Sequence, residues 1–315
     1  MMGLDRMDSP NPCANGVPKF QQTLPPPQRQ VDLEERRKAF WVLFIIDAYA
    51  SVRSGTVVAI NASQVTTALP SYRLIPEPNE PSMPSLENAR SLLGTGYISS
   101  FTGLVIMVSL YRRCLGHVRS SLENESTTGG SCYSFWEHHY GIDKDLKSYT
   151  DGLTGMMNAQ ELLEDEFALA LNLNLCAIDI CLHEAAIVKA NGDALPKTLV
   201  AECNSRCSQA AMRIVEGVSL IPKLAQPKRT LFKQMNIYCM WPVCMAMQVL
   251  NSELSSATDN AQLAHTVGVL RLLVTAIEDL EDVSGHWIDS IAHIVKRLEE
   301  MDPTALRTPE VDGLG

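Results

Sequence analysis

The chain has 315 residues, 46% of them hydrophobic and 20% charged, which is enough apolar material to bury a substantial core. Its formal net charge of -10 gives an acidic surface that repels phosphate backbones, so the chain as a whole is predicted to bind nucleic acid poorly, and any DNA contact would need a local basic patch or a partner. Residues 1–9 lack the apolar segment of a secretory signal, and the strongest apolar run, 39–46, stops at Asp47, so the sequence predicts no transmembrane helix and no membrane partner.

The nine cysteines are scattered along the chain, and several fall inside helical patterns. This distribution is typical of buried thiols in a reducing compartment rather than of a disulfide framework. The cysteine usage therefore predicts a protein of the cytoplasm or nucleus.

Residues 1–30 are predicted to form a proline-rich disordered tail, because prolines recur and few apolar side chains are available for burial. The first helix is predicted to begin at Asp32, which can cap it together with Glu35 three positions later. Gly55 is predicted to end this helix. The five prolines in residues 56–84 predict an irregular loop after it.

The rest of the chain predicts further helices, and no run with the period of a β-strand is convincing. The predicted ranges are 86 or 95 to 118, 133–155, 159–190, 197–219, 228–253, 259–281 and 284–300. Pro242 is predicted to kink or divide the helix that contains it. The predicted fold is therefore an irregular all-α domain over 31–300, followed by a flexible tail over 301–315.

The segment 35–70 carries the most informative pattern, and it reads ERRKAFWVLFIIDAYASVRSGTVVAINASQVTTALP. Basic residues precede an aromatic-rich helix, an acidic residue follows, a glycine closes the helix, and an isoleucine and a Leu-Pro pair come after it. These residues are Arg36, Arg37, Phe40, Trp41, Asp47, Gly55, Ile60, Leu69 and Pro70. Their order and spacing resemble the signature of the fungal-specific transcription factor domain, the middle homology region of zinc-cluster (Zn2Cys6) regulators. A looser resemblance extends over residues 33–300.

This resemblance implies a nuclear protein that controls RNA polymerase II genes, often of metabolic or secondary-metabolite pathways. It implies a helical regulatory domain that sometimes responds to a small-molecule effector, with no enzymatic activity and no cofactor. Family members usually begin with a six-cysteine zinc cluster, whereas Cys13 is the only cysteine here before Cys114. We therefore expect an N-terminally truncated domain that reaches DNA only indirectly, through a protein partner in a homo- or heterodimer. Zinc would enter only with a cluster outside this chain.

Residue type also predicts physical roles for the signature. Trp41, Phe44 and Ile45 are predicted to be core. Arg36 and Arg37 are predicted to form ion pairs with acidic neighbours, for example Asp47 or a carboxylate on another helix, and a basic patch for a partner or DNA is the alternative. For Asp47, a structural ion pair is favoured over a ligand contact.

The run 39–46 is apolar on every face, so we expect other helices to surround it. Because a truncated domain supplies fewer neighbouring helices, we also expect an exposed apolar patch near this helix that favours association.

The sequence evidence for a metal site built from cysteine and histidine is weak. Cys203 with Cys207, and Cys176 and Cys181 with His183, offer too few ligands for a zinc-finger or zinc-cluster site, which favours buried thiols. The pair His138-His139 is interpreted as solvent-exposed.

Two segments leave alternatives open. The acidic run 278–282 is a loose match to the metal-binding motif of terpene synthases, but it lacks the aspartate spacing of that motif, which disfavours such an enzyme. A terpene-synthase-like enzyme or small-molecule-binding protein is kept as the alternative function. The methionine-rich segment 235–247 either fills the core around Trp241 or lines an adaptable groove.

Overall fold

The computed structural model describes residues 4–8, 25, 27–54, 58–73, 82–124, 132–153, 158–223, 236–256, 259–280 and 286–301. Within these ranges every regular element is a helix, which confirms the predicted all-α class. The α-helices are α1 (Gln30–Ser54), α2 (Ser100–Asn124), α3 (Cys132–Leu153), α4 (Ala159–Glu164), α5 (Glu166–Gly192), α6 (Lys197–Val218), α7 (Asn236–Ser256), α8 (Asn260–Leu280) and α9 (His286–Met301). Short 3-10 helices occupy Leu4–Arg6, Ala62–Gln64, Leu86–Leu92 and Ile221–Lys223.

The chain divides into two compact units, residues 1–161 and 162–315. In the first unit, α1 and α3 both pack against α2. In the second, α5, α6 and α7 pack against one another, and α8 and α9 add to α7. The sequence-based domain boundaries of 31 and 300 stay a prediction.

Part of the predicted N-terminal tail packs against the first unit. The amide of Thr66 donates to the carbonyl of Asp5 at 2.9 Å, and the hydroxyl of Thr67 donates to the carbonyl of Leu4 at 2.6 Å. Residues 9–24 of the predicted tail, and the predicted flexible tail after 301, lie outside the described residues.

Helix α1 begins at Gln30, two residues before the predicted cap. The carboxylate of Asp32 accepts hydrogen bonds from the backbone amide and the Nε of Arg29, at 3.2 and 3.1 Å. The predicted capping box of Asp32 with Glu35 is therefore wrong, because Asp32 already lies in the first helical turn. Its charge still complements the positive end of the helix.

Asp165 interrupts the helix that was predicted over 159–190. Its Oδ1 accepts the amides of Phe167 at 2.9 Å and Ala168 at 3.3 Å, which satisfies two donors at the start of α5. The capping signal was present in the sequence, as an aspartate directly before an apolar run, and the sequence-based prediction missed it.

Helix α5 is the central helix of the second unit. Its segment Phe167–Gly192 is the one described helix that is long and apolar enough to cross a membrane, which corrects the expectation that no stretch in the chain qualifies. Helices α6 and α7 pack against it, and 61% of its apolar window is buried. We therefore interpret α5 as a core helix.

Helix α7 is continuous through Pro242, which does not divide it. A proline has no N–H to donate to the carbonyl four residues earlier, here that of Tyr238. The buried Asn174 of α5 donates its Nδ2 to that carbonyl at 2.5 Å and to the carbonyl of Ala170 at 2.7 Å. An asparagine on the neighbouring helix thus satisfies the acceptor that the proline leaves unpaired.

The methionine-rich segment fills this core. Met240 and Met247 are fully buried within α7, whereas Met235 lies outside the described residues. Their burial favours core filling over an adaptable groove.

Candidate functional site

The aromatic residues of the signature form the buried face of α1. Phe40, Trp41 and Phe44 are at most 4% exposed, and Ile45 is 1% exposed, which confirms the predicted core residues. The Trp41 ring meets Phe40 and Phe44 edge-on, with centroids 5.0 and 5.3 Å away. The indole N–H of Trp41 donates to the carbonyl of Ala68 at 2.8 Å, so the core of α1 anchors the loop 58–73.

Asp47 holds the beginning of the same loop. Its two carboxylate oxygens accept the backbone amides of Ala59 at 2.9 Å and Ile60 at 3.0 Å. Arg112 of α2 lies 3.8 Å from this carboxylate and also donates to the carbonyl of Ile60. The structural ion pair predicted for Asp47 is therefore present, and its partner lies on another helix.

Arg37 pairs with two carboxylates, Glu34 one helical turn before it and Asp8 from the N-terminal segment. Burial opposes its charge, but the hydrogen bonds and charges of Asp8 and Glu34 outweigh this and raise the pKa of Arg37. The same carboxylates hold the loop, because Asp8 accepts the amide of Ala68 at 2.9 Å and Glu34 accepts that of Ser71 at 3.0 Å. Glu34 is 1% exposed, and the sequence analysis did not predict its role in holding the loop.

Arg36 behaves differently from its neighbour. Its guanidinium donates to the carbonyl of Pro25 at 2.6 Å. The ion pair with acidic neighbours is therefore confirmed for Arg37, which binds Asp8 and Glu34, whereas the option of Asp47 as its partner is wrong, because Asp47 faces Arg112.

The Leu-Pro pair closes the loop against α2. Leu69 is fully buried, and its amide donates to the carbonyl of Pro84 at 2.9 Å. The carbonyl of Pro70 accepts the hydroxyl of Thr102 at 3.0 Å. Gly55, the remaining signature residue, lies outside the described residues. The other signature residues thus gather at α1 and its loop, where Asp47 and Glu34 bind backbone amides of the chain itself.

The opposite side of α1 carries exposed apolar side chains. Val42, Leu43 and Ile46 are 39%, 51% and 46% exposed, and Ala39 and Ala50 extend the same side. We call these five residues the α1 stripe. The expectation that helices surround the run 39–46 on every face is wrong, and the expected exposed apolar patch is confirmed. Contiguous exposed apolar side chains mark interaction sites more often than isolated ones do.

Three of the four cysteines considered as metal ligands are buried thiols, and Cys181 is half-buried. Burial raises the pKa of Cys176 to about 11 and that of Cys207 to about 12, so both stay protonated at neutral pH. Protonated thiols are poor metal ligands. Cys203 is likewise buried.

The histidine pair 138–139 is exposed at one residue only, and the described acidic residues of the run 278–282 are exposed. His138 is exposed as predicted, but the exposure predicted for His139 is wrong, because it is only 2% exposed. Glu278 and Asp279 are exposed at the end of α8, as a solvated helix end requires, and residues 281 and 282 lie outside the described residues.

Comparison with known proteins relates the chain to fungal regulators. It is 32% identical, over 86% of its length, to the depudecin biosynthesis cluster-specific transcription activator of Fusarium langsethiae. The activator of the same name from Alternaria brassicicola is 32% identical over 89% of the chain, and the pigment biosynthesis transcriptional activator of Monascus ruber is 26% identical over 77%. The chain spans 42–43% of the length of these relatives. No protein-family model and no solved structure matches it.

Proposed function

Because the chain is homologous, over most of its length, to fungal cluster-specific transcription activators, we propose that it is a helical regulatory module of this class of transcription regulator. It acts in the nucleus on RNA polymerase II genes of a secondary-metabolite pathway. Relatives named as pathway activators support this proposal, as does the signature that α1 and its loop display. The finer assignment to the fungal-specific transcription factor domain of zinc-cluster regulators rests on that signature alone.

The module works through a protein partner that covers the α1 stripe. The observation that carries this step is the exposure of Val42, Leu43 and Ile46 on a helix whose other face is core. Burying such side chains removes apolar area from water, which is favourable by roughly 25 cal/mol per Å². With a net charge of -10 the chain itself repels DNA, so the partner makes the DNA contact. The partner is a second regulator chain, in a homo- or heterodimer.

Substitution of the α1 stripe tests this partner surface. We expect the wild-type chain to associate as its concentration rises and to bind a hydrophobic dye, as measured by size-exclusion chromatography with light scattering and by dye fluorescence. The double variant Leu43→Glu/Ile46→Glu should lose both properties while keeping its helical circular dichroism, because both side chains are exposed.

The matched control is Val188→Glu on α5, since Val188 is an exposed apolar residue, 56% accessible, outside the α1 stripe. This control should associate and bind dye like the wild type. A monodisperse wild-type monomer that binds no dye would contradict the proposed partner surface, and so would equal effects of the Leu43/Ile46 and Val188 variants.

A further inference from the structure

A cluster of imidazole and aromatic rings lies between α2 and α3, away from the α1 stripe. His117 of α2 has its ring centroid 6.5 Å from that of His138 and 6.1 Å from that of His139. Phe135 packs on His117 with centroids 4.5 Å apart, and Trp136 meets His139 edge-on at 5.5 Å. We call the three histidines the imidazole cluster.

His117 contributes a buried ring nitrogen. The residue is 8% exposed, and its Nε2 has no hydrogen-bond partner among the described residues. A buried polar nitrogen without a partner destabilises the folded chain, so its presence in the core requires a physical reason. Burial, and then the neighbouring His138, lower the pKa of His117.

His138 supplies an oriented ring nitrogen at the surface. Its Nδ1 lies 2.7 Å from the backbone carbonyl of Ser134, one helical turn earlier. Because a carbonyl only accepts, Nδ1 carries the hydrogen, and the lone pair is left on Nε2. Histidine ligands of metal ions commonly donate their second ring N–H to a backbone carbonyl in this way, which fixes both tautomer and ring orientation.

We propose that His117 and His138 bind a divalent transition-metal ion of the zinc class through their Nε2 atoms. Imidazole nitrogens suit zinc, copper and nickel, and the exposed side of His138 gives the ion a route from solvent.

The rings of His117 and His138 lie slightly farther apart than two imidazoles bound to one ion. Two imidazoles bound to one ion at metal–nitrogen distances of about 2.0–2.1 Å have ring centres about 5–6 Å apart. The centroids of the imidazole cluster lie 6.1 and 6.5 Å apart. The exposed His138 ring would therefore move about 1 Å closer to His117 when the ion binds, with its Nδ1 still donating to Ser134. This site goes beyond the proposed function, and it departs from the sequence-based expectation of a chain without cofactors.

Calorimetric titration with Zn²⁺ tests the site. We expect the full chain to bind one equivalent, and the variant His138→Gln to bind it at least roughly tenfold more weakly, because one ligand is lost. His138 is exposed, so this variant should fold like the wild type. The control His293→Gln removes an exposed histidine on α9 and should bind Zn²⁺ unchanged.

A second readout uses Cu²⁺, whose electron paramagnetic resonance spectrum reports bound nitrogens. The wild type should show nitrogen hyperfine splitting, and both His138→Gln and His117→Asn should lose it. Zn²⁺ binding that is equally tight in the His138→Gln and His293→Gln variants would overturn the proposal, as would a wild type that takes up no Zn²⁺.

Discussion

At the scale of single residues, the signature of the chain is a set of groups that bind its own backbone. Asp47 accepts two consecutive amides of the loop 58–73, and Trp41 donates to a carbonyl of the same loop. Carboxylates that accept backbone amides form stronger hydrogen bonds than neutral acceptors do. Loop anchoring therefore explains the residue types at Trp41 and Asp47.

Replacing Asp47 by asparagine tests this anchoring. The substitution removes the charge and one of two acceptors, so we expect the free energy of unfolding to fall by about 1–3 kcal/mol. Hydrogen exchange at the amides of Ala59 and Ile60 should accelerate, whereas the amide of Ala68, which Asp8 binds, should stay protected.

Asp151→Asn on the exposed side of α3 is the control and should change neither stability nor exchange. Unchanged protection of Ala59 and Ile60 in the Asp47 variant would show that this carboxylate does not hold the loop.

At the scale of elements, the sequence predicted helices better than their ends and their partners. Helical periodicity located α6, α8 and α9 within about two residues, because each buries one apolar face. The start of α1 and the break at Asp165 were wrong, because local hydrogen bonds of Arg29 and Asp165 decide them. Long-range pairs such as Asp47 with Arg112, or Arg37 with Asp8, connect distant positions, and no local pattern encodes them.

Helix α7 shows where the effect of a proline on a helix cannot be predicted from the local sequence alone. Pro242 predicts an interruption, yet Asn174 of α5 supplies the donor that proline lacks. The two residues are 68 positions apart in the sequence, since 242 − 174 = 68, so only the packed structure reveals that they cooperate.

A double-mutant cycle on Asn174 and Pro242 tests this cooperation. Asn174→Ala should lower the free energy of unfolding by about 1–3 kcal/mol, because the carbonyl of Tyr238 loses its donor in a buried site. In the Pro242→Ala background the loss should shrink, since the new amide at 242 serves that carbonyl. Urea denaturation of the two single variants and the double variant measures the coupling.

The surface variant Asn204→Ala on α6 provides the control for asparagine removal and should leave stability unchanged. Additive effects of the Asn174 and Pro242 substitutions would mean that the Asn174 side chain does not compensate for the proline.

At the scale of the whole molecule, charge and apolar exposure point in the same direction. The net charge of -10 disfavours direct DNA binding, and the α1 stripe favours association with another protein. Homology to cluster-specific transcription activators relates such an association to transcription regulation. We propose on these grounds that the chain regulates the transcription of a pathway through a partner bound at α1.

The most direct measurement is RNA sequencing of the source fungus in three strains, with the gene intact, deleted, or replaced by the Leu43→Glu/Ile46→Glu variant. The account predicts that deletion changes a set of biosynthetic transcripts together, and that the variant, at normal protein level, reproduces the same change. Transcripts that stay unchanged on deletion would contradict a role in transcription. A variant strain that matches the intact strain would contradict partner binding through the α1 stripe.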